Sequence, residues 1–135
     1  ELDFISIHTY PLWENKHIDE ALIYSRQNFF DVARMYPDKP VMITEAGWAT
    51  NSNGRGINSE NVSEDYQEIY FNDLTKWSEE EGIITFIFEA FDEPWKGFPD
   101  ENEPEKHWGL FTVDREPKKV MQSRYPELMG HRGGA

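Results

Sequence analysis

Carboxylates stand near the ends of two apolar stretches in this sequence, and a carboxylate can act as a nucleophile or as a proton donor and acceptor. Glu45 lies in the stretch VMITEAGW at residues 41–48, and Glu89 lies in IITFIFEAF at residues 83–91. Apolar runs with β-branched residues predict buried strands. Because α/β proteins bind ligands at the carboxyl ends of strands, both acids are predicted to face a ligand site. The alternative for Glu45 is a solvated acid that does no chemistry.

The elements that position these acids follow from the hydrophobic periodicity of the chain. Period-two alternation predicts strands over residues 2–10, 41–48 and 83–91. Apolar residues at helical spacing predict helices over residues 18–36, about 62–80, and a short one near 118–125. Ser59 or Ser63 would cap the second helix. Strict alternation also places Ile43 and Glu45 on the same face of their strand.

Strands that alternate with helices predict a parallel sheet built from βα units. One fitting architecture is a small open sheet with helices on both faces; the other is part of a (β/α)8 TIM barrel, which needs about 250 residues. An open three-stranded sheet would leave long edges unpaired. We therefore predict an α/β fold that forms the C-terminal part, about three βα units, of a TIM barrel. Residues 1–126 would form this partial domain, and residues 127–135 a C-terminal tail.

Composition limits the partners of the chain. Its 135 residues carry 13 Lys and Arg against 26 Asp and Glu, a formal net charge of −13. This balance argues against nucleic acid and anionic membranes, which both attract basic surfaces, and it is compatible with a neutral ligand such as a sugar. The chain has no Cys and no stretch near the roughly 20 apolar residues of a membrane span. Because it opens inside a predicted strand, we expect that residues precede Glu1 in a parent protein.

Four motifs carry a family resemblance, and they occur in order along the chain: FISIHTYP at residues 4–11, ITEAGW at 43–48, FDEPWK at 91–96 and EKHWGLF at 105–111. Together they resemble the C-terminal half of the family 17 glycoside hydrolases, the β-1,3-glucanases and related bacterial glucanosyltransferases. The resemblance implies that Glu45 is the catalytic nucleophile and that Glu93, Lys96 and Glu105 surround it. It also implies a β-glucan oligosaccharide or polysaccharide as substrate, and an extracellular or periplasmic parent enzyme.

The chemistry of that family explains the residue types. Retaining glycosidases use two carboxyl groups, one as nucleophile and one as acid/base, and a neighbouring Lys such as Lys96 favours an ionised carboxylate. Aromatic side chains stack on sugar rings. We therefore expect substrate contacts from His8, Tyr10, Trp13, Trp48, Glu89, Phe91 and Trp95. For His8 a buried structural role is an equal alternative. Core packing is preferred for Phe86 and Phe88, and no metal site or cofactor is predicted.

One residue that the family requires has no counterpart in the chain. The acid/base Glu of the family follows an Asn at the end of an earlier strand, whereas Asn102 and Glu103 follow the last predicted strand. Two hypotheses follow. The chain is either the nucleophile-bearing half of a β-1,3-glucan hydrolase or transglycosylase, or a non-catalytic module that binds sugar or self-associates through half-barrel edges. In the first case we expect no complete activity from this chain alone.

Overall fold

The computed structural model of the protein describes residues 2–133. Its strands are β1 (Ile5–Thr9), β2 (Val41–Ala46) and β3 (Thr85–Ile87), and its α-helices are α1 (Ile18–Met35), α2 (Glu64–Glu81) and α3 (Lys119–Arg124). Short 3-10 helices span Ser59–Asn61, Pro104–Lys106 and Pro126–Gly133. The strands pair in the order β1-β2-β3, and both pairings are parallel. The predicted alternation of strands and helices around a parallel sheet is confirmed.

Local signals in the sequence fix the ends of the two long helices. His17 caps α1, since its side chain accepts from the Asp19 N–H while Glu20 reaches back to the His17 N–H. Ser63 caps α2 by accepting from the Tyr66 N–H at 3.0 Å. Gly82 ends α2 with a φ of +68°, a left-handed conformation that favours glycine. Of the two Ser residues predicted as caps, Ser63 is therefore the one.

The third strand is shorter than its predicted range of residues 83–91. Pairing with β2 ends where the Phe88 N–H donates to the Ala46 carbonyl. Beyond that point Glu89 exchanges backbone hydrogen bonds with the returning chain, donating to the Trp108 carbonyl at 3.1 Å and accepting from the Leu110 N–H at 2.9 Å. The chain thus changes pairing partner at Glu89, which alternation within one strand could not reveal.

A bulge in β2 overturns the predicted face of Glu45. Ile7 pairs with Ile43 and His8 pairs with Glu45, so Thr44 is an extra residue in β2. Residues beside each other in a parallel ladder share a face; Glu45 therefore lies on the side of His8, opposite Ile43. The prediction that Ile43 and Glu45 share a face is wrong, because alternation resets at the bulge.

Helices cover one face of the sheet and leave the other face open. Ile43, Ala46 and Leu74 are fully buried between the sheet and α1 and α2. The opposite face carries exposed apolar side chains among the described residues, namely Phe4, Ile84 and Phe86 at 47%, 54% and 58% exposure. We call these three residues the open face. Core packing was predicted for Phe86 and Phe88; Phe86 is exposed on the open face of this chain, whereas Phe88 packs against the core as predicted.

A second, smaller cluster forms where α3 packs on α2. It is built from Phe71, Val120 and Met121, with Leu128 packed against it. Leu128 belongs to the predicted tail, so contacts with the domain continue past residue 126; the domain boundary itself stays a prediction, and residues 134–135 lie outside the described range. Between residues 2 and 133, none of the helices combines the length and apolarity that crossing a membrane demands.

Candidate active site

Glu45 meets two side chains of the first strand region. Tyr10, directly after β1, donates its hydroxyl hydrogen bond to Glu45 Oε2, and His8 Nδ1 lies 3.4 Å from the same oxygen. Burial first, and then the hydrogen bond to Glu45, raise the pKa of Tyr10 well above its usual range. The phenol therefore stays a proton donor, and it holds one carboxylate oxygen of Glu45 in place. The Glu45 side chain keeps 35% of its surface exposed, so a ligand can reach it.

Lys96 joins two further acids that follow β3. Its ammonium lies 3.1 Å from Glu89 Oε2 and also contacts Glu93. The ammonium sits 4.6 Å from the centre of the Phe88 ring, a cation–π contact. Burial alone would lower the pKa of Lys96, but its hydrogen bonds to Glu93 and Glu89 outweigh this and raise it. Lys96 is thus a persistent positive charge within an acidic cluster.

The two acids bound by Lys96 differ in protonation. Burial raises the pKa of Glu89 to about 7, against the lowering effect of Lys96. The hydrogen bond from Lys96 lowers the pKa of Glu93 below its ordinary value. The two neighbouring carboxyl groups also act on each other, since Glu93 raises the pKa of Glu89 and Glu89 lowers that of Glu93. Near neutral pH the pair therefore carries Glu93 ionised and Glu89 partly protonated.

Glu105 reaches the same cluster from the long loop that follows Glu93. It lies in the 3-10 helix Pro104–Lys106. Burial raises its pKa, with Lys96 opposing and Glu103 adding to the rise. The charge of Glu105 also acts on Tyr10, as do those of Glu45 and Glu89. The structure therefore brings together all four predicted catalytic residues and three predicted substrate contacts, namely Glu45, Glu93, Lys96, Glu105, His8, Tyr10 and Glu89.

Three of the predicted aromatic contacts remain accessible beside this cluster. Trp13 is 36% exposed and lies tilted against Trp108, with ring centres 6.1 Å apart. Trp95 is 72% exposed in the loop after β3. Phe91 is 36% exposed, and the Arg115 guanidinium lies 3.8 Å from the centre of its ring. Trp13 and Trp95 offer surface for stacking, whereas Phe91 already stacks against Arg115.

Trp48 is a core residue, which corrects its prediction as a sugar contact. Its side chain is 1% exposed, its ring packs at 5.4 Å from that of Tyr70, and its indole N–H donates to the Asn61 carbonyl. Any additional segment that packed against this chain would only bury the Trp48 side chain further. The position just past a strand end suggested a loop residue, but the chain after β2 takes Trp48 into the core, where it packs against Tyr70 of α2.

Trp108 supports the site and was not predicted to do so. It is 1% exposed, and its ring meets the Tyr10 ring edge-on at 5.3 Å. Backbones approach closely around it, since a Cβ on Gly47 would lie 1.9 Å from the Phe88 carbonyl oxygen and one on Gly109 2.2 Å from the Asp92 nitrogen. The sequence signal that could have predicted a buried Trp108 beneath the site is the Trp-Gly pair, Trp108 and Gly109, within EKHWGLF.

Fold and site together define an α/β protein with a carboxylate-rich site at the carboxyl ends of parallel strands. Its acids and aromatic side chains suit a polyhydroxylated ligand. Among residues 2–133, no three His, Asp or Glu side chains group as a metal-binding set. The chain belongs to the family of the BtgE/BtgC glycoside hydrolase domain, whose family model matches residues 1–109.

Individual relatives agree with this assignment. The chain is 29% identical over 130 residues to a glucan 1,3-beta-glucosidase of Arthroderma benhamiae, an alignment that covers 85% of this chain and 41% of the relative. An endo-laminarinase from Formosa matches with 30% identity and a TM-score of 0.87, over 99% of this chain and 42% of that one. An active-site mutant of the Rhizomucor miehei beta-1,3-glucanosyltransferase, in complex with laminaritriose, matches with 29% identity and a TM-score of 0.77, over 88% and 42%.

The resemblance to family 17 is confirmed, since a further Rhizomucor miehei structure, 29% identical with a TM-score of 0.76, is a glycoside hydrolase family 17 beta-1,3-glucanosyltransferase. The chain spans less than half the length of the relatives it matches.

Proposed function

We propose that this chain is the nucleophile-bearing part of a retaining glycoside hydrolase or transglycosylase that acts on β-1,3-glucan. The observation that carries the proposal is the position of Glu45 at the end of β2, bound by Tyr10 and facing the same side of the sheet as His8. The names of its relatives support the substrate, because they include a glucan 1,3-beta-glucosidase and a glucanosyltransferase bound to laminaritriose.

In this proposal Glu45 attacks the anomeric carbon of the sugar. A bond forms between a Glu45 oxygen and that carbon as the bond to the leaving oxygen breaks, and an acid outside this chain protonates the leaving oxygen. Water or a sugar hydroxyl then displaces Glu45 from the glycosyl–enzyme, giving up a proton to the same acid/base. Two inversions at the anomeric carbon retain the β configuration.

The remaining site residues would bind and orient the sugar. Lys96 and Glu93 offer charged groups to sugar hydroxyls, and Glu89 offers a carboxyl group that can donate or accept near neutral pH. Trp13 and Trp95 offer exposed ring faces for stacking. Glu105 adds a further carboxyl group beside the sugar. Phe91 would contact the sugar through the edge of its ring, because Arg115 lies on the ring face.

The acid/base would come from the part of a (β/α)8 barrel that this chain does not contain. The coverage of 42% of its structural relatives supports about three βα units of such a barrel. The one-sided sheet supports it too, because its open face would line the interior of a closed barrel. Exposed Leu2 and Tyr36, which line a cavity with Ile5 of β1, would then meet the preceding unit.

Azide rescue tests the role of Glu45 in a complete parent enzyme. Glu45→Ala removes the nucleophile and should nearly abolish turnover while sugar binding is kept. Azide should then restore cleavage of an activated β-glucoside and give an α-glycosyl azide, because a single displacement inverts the anomeric carbon. A β-configured azide would assign Glu45 as the acid/base instead. Loss of thermal stability without rescue would make Glu45 structural, and the proposal would fail.

A further inference from the structure

A buried lysine outside the predicted site binds three segments of the chain at once. The Lys118 side chain is 5% exposed. Its ammonium donates to Asp92 Oδ1 at 2.7 Å, to Thr50 Oγ1 at 2.9 Å and to the His107 carbonyl at 3.5 Å. Asp92 Oδ1 also accepts from the Gly109 N–H at 2.9 Å. An ammonium has three donor hydrogens, and here each has an acceptor.

The three partners of Lys118 flank the residues of the proposed site. Thr50 follows Glu45 along the segment that leaves β2, Asp92 precedes Glu93, and His107 comes two residues after Glu105. Thr50 also donates to the His107 carbonyl, through its N–H at 3.0 Å and its hydroxyl at 3.3 Å. One buried charge therefore connects the segment carrying the nucleophile to both segments carrying the other acids.

Packing alone does not require a charged pair at this point. Burying an ammonium is unfavourable, and burial accordingly lowers the pKa of Lys118 despite the neighbouring Asp92. A buried ion pair can often be replaced by apolar side chains of similar volume without loss of stability. Its directional bonds differ from apolar contacts because they fix where each partner lies.

Gln67 also joins these segments in the interior, donating to the Trp48 and Gly109 carbonyls, and two further connections lie at the surface. Asn51 donates to Asn102 and Asn53 donates to Asp100, each at 2.9 Å and each exposed. Exposed hydrogen bonds compete with water and contribute little to fixing a geometry. The buried ammonium is therefore a stronger constraint than these two exposed hydrogen bonds on how the two loops approach each other.

We propose that Lys118 is a positioning residue, whose ammonium holds Glu93, Lys96 and Glu105 in register with Glu45. This inference rests on the function proposed above, since it assigns Lys118 a role in the geometry of that site. Lys118 does not touch the sugar in this proposal. It acts through Asp92 and the His107 carbonyl.

Nuclear magnetic resonance of the 15N-labelled 135-residue chain tests the proposal. The side-chain ammonium of Lys96 should give a protected signal, because Glu89 and Glu93 both bind it. Lys118→Met should abolish that signal and weaken binding of laminaritriose by about tenfold, the order expected when one charge-assisted hydrogen bond is misaligned. Thr50→Val should also weaken the Lys96 signal and the binding of laminaritriose, but by less than Lys118→Met. Lys119→Met, which removes a neighbouring exposed ion pair with Asp65, is the matched control and should leave both unchanged.

The outcomes separate this inference from the proposed function. An unchanged Lys96 signal and unchanged affinity in a folded Lys118→Met chain would overturn the positioning role. If Lys118→Met does not fold, Thr50→Val decides on the same two readouts. If the unsubstituted chain shows no shifts with laminaritriose while its Lys96 signal still depends on Lys118, the positioning role stands and the assigned ligand fails.

Discussion

At the scale of single residues, the four acids of the site differ in their bonding partners and in their burial. Glu45 is bound by a phenol that keeps its proton, Glu93 by an ammonium, and Glu89 and Glu105 lie in more buried positions that raise their pKa values. Residue types near strand ends predicted that Glu45 and Glu89 face one site, whereas Glu93 and Glu105 were expected there only from the family resemblance. The sequence could not predict which of them bonds to which, because Tyr10 and Glu45 are 35 residues apart and meet only through the β1–β2 pairing.

Removing the positive charge of Lys96 tests this assignment of protonation states. Lys96→Met should raise the pKa values of Glu89, Glu93 and Glu105 together, because Lys96 lowers all three. Titration of the 13C-labelled carboxyl groups by nuclear magnetic resonance measures each shift, and in the unsubstituted chain Glu89 should titrate at about 7. Lys119→Met is the control with equal loss of charge. Carboxyl titrations that are indifferent to Lys96→Met would contradict the cluster.

The same titration fixes how Glu89 makes stability depend on pH. Its pKa rises from 4.5 to about 7 on folding, so the folded state favours the protonated carboxyl. The stability that Glu89 contributes is complete below about pH 4.5 and is lost as the pH rises through about 7. Glu93 acts in the opposite sense, because its lowered pKa contributes stability above its unfolded pKa that is lost as the pH falls.

At the scale of elements, the sequence predicts most where local signals and tertiary packing agree. The ends of α1 and α2 lie within two residues of their predicted positions, since His17, Ser63 and Gly82 act locally. Prediction fails where the cause is distant in sequence. The bulge at Thr44 depends on pairing with β1, and the early end of β3 depends on pairing with Trp108 and Leu110.

Two serines near the start of α2 give a matched test of capping. Ser63→Ala removes the acceptor for the Tyr66 N–H and should lower the free energy of unfolding by about 1 kcal/mol. Ser59→Ala changes an exposed residue in the preceding 3-10 helix, where Asn58 provides the cap, and should change it by less than about 0.5 kcal/mol. Urea denaturation measures both. Equal effects of the two substitutions would contradict the assignment of Ser63 as the cap.

At the scale of the whole molecule, helices cover only one face of the sheet. Helices α1 and α2 bury Ile43 and Ala46, while the open face of Phe4, Ile84 and Phe86 has no covering layer among the described residues. Both β1 and β3 are edge strands, since the order is β1-β2-β3. The order of elements could be predicted from sequence because each βα unit carries its own pattern. The one-sided burial could not, because periodicity predicts that a face is apolar but not what covers it.

We propose that the isolated chain self-associates through its open face and strand edges. The net charge of −13 opposes association, so salt should strengthen it by screening the repulsion. Sedimentation velocity should show a sedimentation coefficient that rises with protein concentration, and more steeply at high salt. Phe86→Ser should weaken association by roughly tenfold or more, because it removes one large apolar side chain from each copy.

Ile23→Ser is the control for this test, because Ile23 is 69% exposed on α1, away from the open face. The control should leave association unchanged, whereas an equal effect of both substitutions would point to nonspecific apolar contacts. Salt separates the open face from a charged interface, since screening would weaken association that depends on opposite charges. A compact monomer at every concentration, with strong amide protection in β1, β2 and β3, would contradict both self-association and the partial barrel. In that case the chain would fold stably as a monomer although Phe86 stays exposed to solvent.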